Sequence, residues 1–274
     1  VTVNTAITMT AGSIIGFGNT LTLTGSAIFA RAGQTTVFNF DSADDFVCGA
    51  TAQLDAAAGL LVWNPSADLN LPACTYDGNM QFENGATGTR TYTATGTLTF
   101  TDATAANYIA DIVGANGDVI FAANSRTVTM PGTLNLGNGA NVGALTFTTG
   151  AISGGALTVA IAAAYMSLGS GSHSFTGAWT NSTTTASWAA GTGTVTFNAG
   201  AAATMTFAGA NLAEDEFNNV TFNDSAAMTY TMATRGLRLG GTLSITDTVT
   251  TVALDTSAVS NLAVTAGAIT ISTN

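Results

Sequence analysis

Lysine is absent from all 274 residues, and the only basic side chains besides a single histidine are Arg31, Arg90, Arg126, Arg235 and Arg238. Charged residues make up 8% of the chain, against about a quarter in an ordinary globular protein. Sixteen acids leave a formal charge of −11. A nucleic-acid binder needs a basic stripe to displace counterions from phosphates, and none is present. The same deficit argues against docking on anionic lipid and against the Lys/Glu ion-pair networks of hyperthermophile proteins. Long hydrophobic runs are lacking too. The longest mild candidate, GALTVAIAAAYMSLGSG (155–171), is interrupted by glycines and by alternation, so no membrane insertion is expected. No charged n-region opens the chain; VTVNTA at its start reads as a processed protein or a fragment.

Metal-binding side chains are equally scarce. One histidine, His173, and two distant cysteines fall short of tetrahedral ligation. Cys48 and Cys74 are most simply a disulfide, with two buried free thiols as the alternative. A bridge over this span is worth roughly 3–4 kcal/mol in the chain-entropy model, and it implies an oxidising, extracellular location. His173 lies among serines in GSGSHSFTGAW, but closeness in sequence shows no catalytic triad, and a surface histidine is expected. No glycine loop of the phosphate-cradling kind occurs.

What the sequence does contain is one short strand written many times. VTVN (1–4), LTLT (21–24), LTFT (98–101 and 145–148), VTF (195–197 and 220–222), LSIT (243–246) and AITIS (268–272) all alternate an apolar residue with Thr, Ser or Asn. That period of two places apolar side chains on one face and hydroxyls on the other. Gly, Asn and Asp punctuate the strands. Helical periodicity is nearly absent; only 42–61 and 103–114 have room for a turn or two of helix. Strands of 3–5 residues at a full repeat of roughly 20–25 match an all-β parallel β-helix, or β-solenoid, with strands stacked rung on rung. The Asn-Gly pairs at 84–85, 116–117 and 138–139 keep an antiparallel β-sandwich open as the alternative.

The cadence GTVTFNAG…MTFAGA…FNNVTFNDS…MTYTMATRGLRLGGTLSITD resembles the repeats of secreted parallel β-helix proteins. These are the haemagglutinin-like, autotransporter-passenger and surface-layer repeats of prokaryotic cell surfaces. The resemblance covers best residues 93–274 and, loosely, 1–40. It implies an adhesin, a surface coat or a filament, with polysaccharide lyases and hydrolases as a minority. The expected organisation is N-terminal rungs over 1–40, a disulfide-stapled excursion or small subdomain over 41–92, and the main solenoid over 93–274. The excursion is inferred because 41–92 holds both cysteines and a concentration of aspartates, and loops of that kind often carry function.

Candidate sites follow from polar clusters. Asp41, Asp44 and Asp45, and separately Glu214, Asp215 and Glu216, offer the several oxygens that calcium wants, with a solvated acidic loop as the alternative in each case. Acids on adjacent rungs can stand at glycosidase spacing. Most aspartates, however, sit at turns where Asp supports its own backbone, and no catalytic residue is assigned. Trp179 and Trp188 bracket TNSTTTAS, where exposed rings would stack on glycans or on another subunit; the alternative is that they close the core. Asn181, Asn219 and Asn223 head N-glycosylation triplets. Ordered threonines on a flat face can also match an ice lattice, but threonine on nearly every strand reads more simply as the outward half of the pattern. Since VTVNTAITMT and GAITISTN are strands without a capping helix, the leading expectation is a non-enzymatic structural subunit that polymerises with copies of itself. An adhesin for carbohydrates or receptors comes second, and a polysaccharide-active enzyme third.

Overall fold

A computed structural model describes residues 2–3, 7–9, 13–17, 20–31, 35–109, 117–137, 142–159, 164–181, 189–207, 217–224, 227–232, 236–247, 252–255 and 264–273. Among these residues there is no helix, and the strands pair in parallel as a β-solenoid. The antiparallel sandwich is thereby excluded. Each turn of the coil visits three ladders in a fixed cycle. One turn runs Gly143–Phe147 on the third face, Ala151–Gly154 on the first and Leu157–Val159 on the second. The next repeats it with Tyr165–Ser167, Ser172–Phe175 and Trp179–Asn181. Corresponding strands pair directly: Leu145 with Met166, Gly154 with Phe175, and Leu157 with Trp179.

The period of two explains why the coil closes. Leu98, Phe100, Phe175, Phe197, Val220 and Phe222 point inward and are at most 2% exposed. The intervening Thr99, Thr196 and Thr221 are half-buried on the outside. Because rungs lie about 4.8 Å apart, inward residues of one column stack in ring contact. Tyr76 lies 5.0 Å from Phe100, and Phe197 lies 5.4 Å from Phe222, both pairs nearly parallel. The core is therefore a single hydrophobic column along the axis.

Residues 41–92 are not an excursion. Phe46 pairs with Leu21, Val62 with Val37, Tyr76 with Leu54 and then Phe100, and Phe82 with Ile109. The segment is thus continuous with the ladder before and after it. Its two long strands, Gln53–Trp63 and Thr75–Phe82, run around the corner between the first and second faces. The aspartates that suggested a loop sit outward or at turns. Cys48 and Cys74 form a disulfide with Cα atoms 5.6 Å apart, tying one rung to the next. That bond points to a compartment outside the reducing cytoplasm.

A hydroxyl column on one face

The register between rungs decides which outward residues are neighbours. On the first face Thr75 pairs with Thr99, Thr99 with Thr129, Thr129 with Ser153, and Ser153 with Ser174. The column continues through Thr196, Thr221, Ser244 and Thr270. Nine consecutive positions therefore carry a hydroxyl, although the steps between them vary from 21 residues (Ser153 to Ser174) to 30 (Thr99 to Thr129). Ser174 donates to the Ser153 hydroxyl at 3.3 Å. A flanking column places Thr194 beside Asn219, and another places Asn223 beside Thr246. From Thr99 to Thr270 the central column holds no charged residue. Charge begins above it, where Gln53 donates to Asp77 at 3.2 Å.

The other faces lack this uniformity. Along the second face the outward positions run Val37, Val62, Gln81, Tyr108, Asn135, Thr158 and Thr180. On the third, Asn70, Thr93, Ala122, Thr146 and Ser167 alternate in kind. Among the described residues the first face carries the long unbroken column of hydroxyls, against a run of three on the second face, Thr158, Thr180 and Thr206. Sequence reasoning saw the threonines but not their alignment, because the unequal step lengths hide it.

Several expected site residues fall elsewhere. Trp179 is fully buried, in ring contact with Phe175 and Phe217 at 5.0 Å each, so it closes the core and does not reach glycans. Asn181 sits two residues on along the same strand, faces inward and is fully buried, which denies a glycosyltransferase its amide. Asn219 is half-buried and spans three rungs: its amide nitrogen donates to Gly193 O at 3.4 Å, and its oxygen accepts Thr242 N–H at 2.9 Å. Asn223 remains on the outer side of its strand. Trp188, Glu214, Asp215 and Glu216 lie outside the described residues.

Asp41 and Asp45 approach each other, but Asp44 turns away to the next rung, so the three do not converge on one point. Asp45 accepts the backbone N–H of Ser42 (2.9 Å) and of Asp41 (3.1 Å), holding its own turn. Asp44 accepts from Asn70 of the next rung at 2.9 Å. The hydrogen bond that Asp41 shares with Asp45, followed by desolvation and like charge, pushes the Asp41 carboxyl above the usual range. Among the described residues no group of three or more His, Cys, Asp or Glu is placed to hold a metal, so a calcium site at Asp41, Asp44 and Asp45 is not formed.

His173 is buried, not at the surface. Its Nε2 lies 2.7 Å from Leu168 O, and its Nδ1 accepts Ile152 N–H at 3.2 Å. Both bonds suit the neutral ring, and burial pulls its pKa below the ordinary value, against the Leu168 carbonyl, which raises it. The folded state therefore refuses a proton that the unfolded chain accepts. Stability is fully present above about pH 6.5 and falls as pH drops below that. The expected loss is at most about 2 kcal/mol by pH 5, at 1.36 kcal/mol per pH unit. Urea midpoints measured at pH 8 and pH 5 check this; a His173→Gln variant should flatten the difference.

No protein-family model, curated protein or solved structure matches the chain.

Proposed function

We propose that the chain is a structural and adhesive scaffold of the cell exterior. It works by surface contact rather than by catalysis, with the first face as its contact surface and a neutral glycan chain as its partner. The observation that carries this reading is the unbroken hydroxyl column from Thr75 to Thr270. A polymer laid along the coil axis meets one hydroxyl every 4.8 Å or so, and each hydroxyl both donates and accepts. A neutral face neither selects nor repels by charge, which suits uncharged polysaccharide better than an anionic one. The Cys48–Cys74 bridge supports an extracellular setting.

Sedimentation with an insoluble neutral polysaccharide tests the reading. The protein should pellet with chitin or cellulose, and raising the salt from 50 mM to 500 mM should leave the bound fraction unchanged, since no ion pairs carry the contact. Retention that vanishes with salt, or no retention at all, sinks it. Shaping of growing ice crystals without any glycan retention would move the same face to an ice lattice.

A second reading, assembly into a filament or surface layer with copies of the chain, draws on the last described rung. Ile269 and Ile271 are 59% and 69% exposed there, in register with buried Leu243 and half-buried Ile245. A further parallel strand laid on this rung would cover them, and strand addition works through backbone hydrogen bonds. Electron microscopy across a concentration series decides; a strictly monomeric species removes the assembly reading.

A further inference from the structure

The hydroxyl column of the first face has a neutral polar column on each side of it, two residues away along the strands. On one flank Ser172 pairs with Thr194 and Thr194 with Asn219, whose Oδ1 accepts the N–H of Thr242 on the next rung at 2.9 Å. On the other flank Thr176 and Asn198 directly follow the paired Phe175 and Phe197. Asn223 follows Phe222, the partner of Phe197, and pairs in turn with Thr246. Over these four consecutive rungs all three columns consist of Ser, Thr and Asn alone.

The result is a plane rather than a groove. Neighbours stand about 4.8 Å apart along the coil axis and about 6.6 Å apart along a strand, two residues at a rise of about 3.3 Å each. The residues between them, such as His173, Phe175, Val195 and Phe197, are buried. Threonine is stiff at χ1, and Asn219 is tied at its other end as well, where Nδ2 donates to Gly193 O at 3.4 Å. No aromatic or long side chain rises from these columns to wall in a sugar chain, whereas sites for small ligands are concave.

That geometry selects the physical state of the partner. A single chain laid along the axis fully engages one column and leaves the flanks to water. Each neutral hydrogen bond contributes little net of the water it displaces, and a soluble chain loses its freedom when it is ordered on a surface. Chains already fixed side by side have no such freedom left to lose, and they meet all three columns at once. We propose, resting on the glycan reading above, that the first face recognises the flat, ordered surface of a crystalline neutral polysaccharide and not the separate chain.

Sedimentation of the intact protein with cellulose and with chitin, each in crystalline and in acid-swollen form and compared at equal accessible area, measures this preference. Retention per unit area should fall about tenfold or more on the swollen form, which offers the same chemistry without the order. Soluble cellohexaose or chitohexaose should not displace the protein from the crystalline form. Thr194→Val with Thr242→Val removes two flank hydroxyls and keeps side chains that suit a strand. Its melting curve should stay in place while retention on the crystalline form falls about tenfold, as expected for two lost hydrogen bonds. A chain held on the central column alone would not sense that change. Equal retention on crystalline and swollen forms, displacement by the soluble hexamers, or unchanged retention of the folded double variant overturns the proposal and leaves the glycan reading standing. Retention on none of the four materials overturns both.

Discussion

Replacing Trp63 with alanine should cost about 3–5 kcal/mol, the range for deleting a fully buried aromatic side chain. Trp63 has no exposed surface and its ring centroid lies 5.1 Å from Phe46, 5.2 Å from Phe38, 5.9 Å from Phe40 and 6.0 Å from Phe82. It therefore joins the cores of three rungs, and the packed rungs above and below cannot collapse into the void it leaves. A solenoid is held by nearest-neighbour interfaces, so the damage should stay local. Hydrogen exchange should accelerate over residues 35–100 and change little over 170–245. Trp63→Phe is the control. It keeps most of the ring and removes an indole N–H that is buried without a hydrogen-bond partner, so it should cost under about 1.5 kcal/mol. A uniform rise in exchange along the coil would contradict the local account.

Gly171→Ala is the second large effect, expected at about 3 kcal/mol or more. Gly150, Gly171 and Gly193 stack at the corner where the chain passes from the third face to the first. A Cβ on Gly171 would stand 1.7 Å from Gly150 O, and one on Gly193 would stand 2.0 Å from Gly171 O. These obstacles are backbone atoms of the neighbouring rung, so no rotamer change relieves them. The rungs must part at this corner, and with them the pairing of Ser172–Phe175 to the strand of the preceding rung, Ala151–Gly154. Gly200→Ala is the control: nothing lies within 4 Å of a Cβ there, and stability should hardly change. Chemical denaturation of the three proteins under one condition separates these outcomes.

The parts of the fold visible in the sequence are those set by period two. Val220 and Phe222 are buried and Thr221 faces out, as the alternation dictates. The repeat length followed from the spacing of such strands. Other features depend on what stands one rung away, and a local pattern does not carry that. Asn181 looks like an exposed sequon until its place at an inward position of its strand is known. Asp224 looks like turn punctuation at the end of FNNVTFNDS, yet it is buried and accepts the Tyr230 hydroxyl at 2.7 Å. His173 occupies an inward position paired with Val195, where a hydrophobe is the rule, and two backbone partners make it tolerable there. The continuity of residues 41–92 with the coil is hidden for a different reason. Their polar composition sits on the outside of a regular coil, and outer faces are free to vary in composition. The hydroxyl column is the same lesson applied to function, since each threonine is ordinary and only the register makes nine of them a surface.

One comparison tests the claim that the first face is the contact surface. Thr196→Lys with Thr221→Lys places two charges on adjacent rungs of the hydroxyl column. Thr180→Lys with Thr206→Lys places the same two charges on adjacent rungs of the second face. Both pairs are half-buried outward threonines, so net charge and local exposure change alike. Retention on insoluble neutral polysaccharide should be abolished in the first variant and unchanged in the second. Equal retention in both, or equal loss, would contradict the assignment of function to that face.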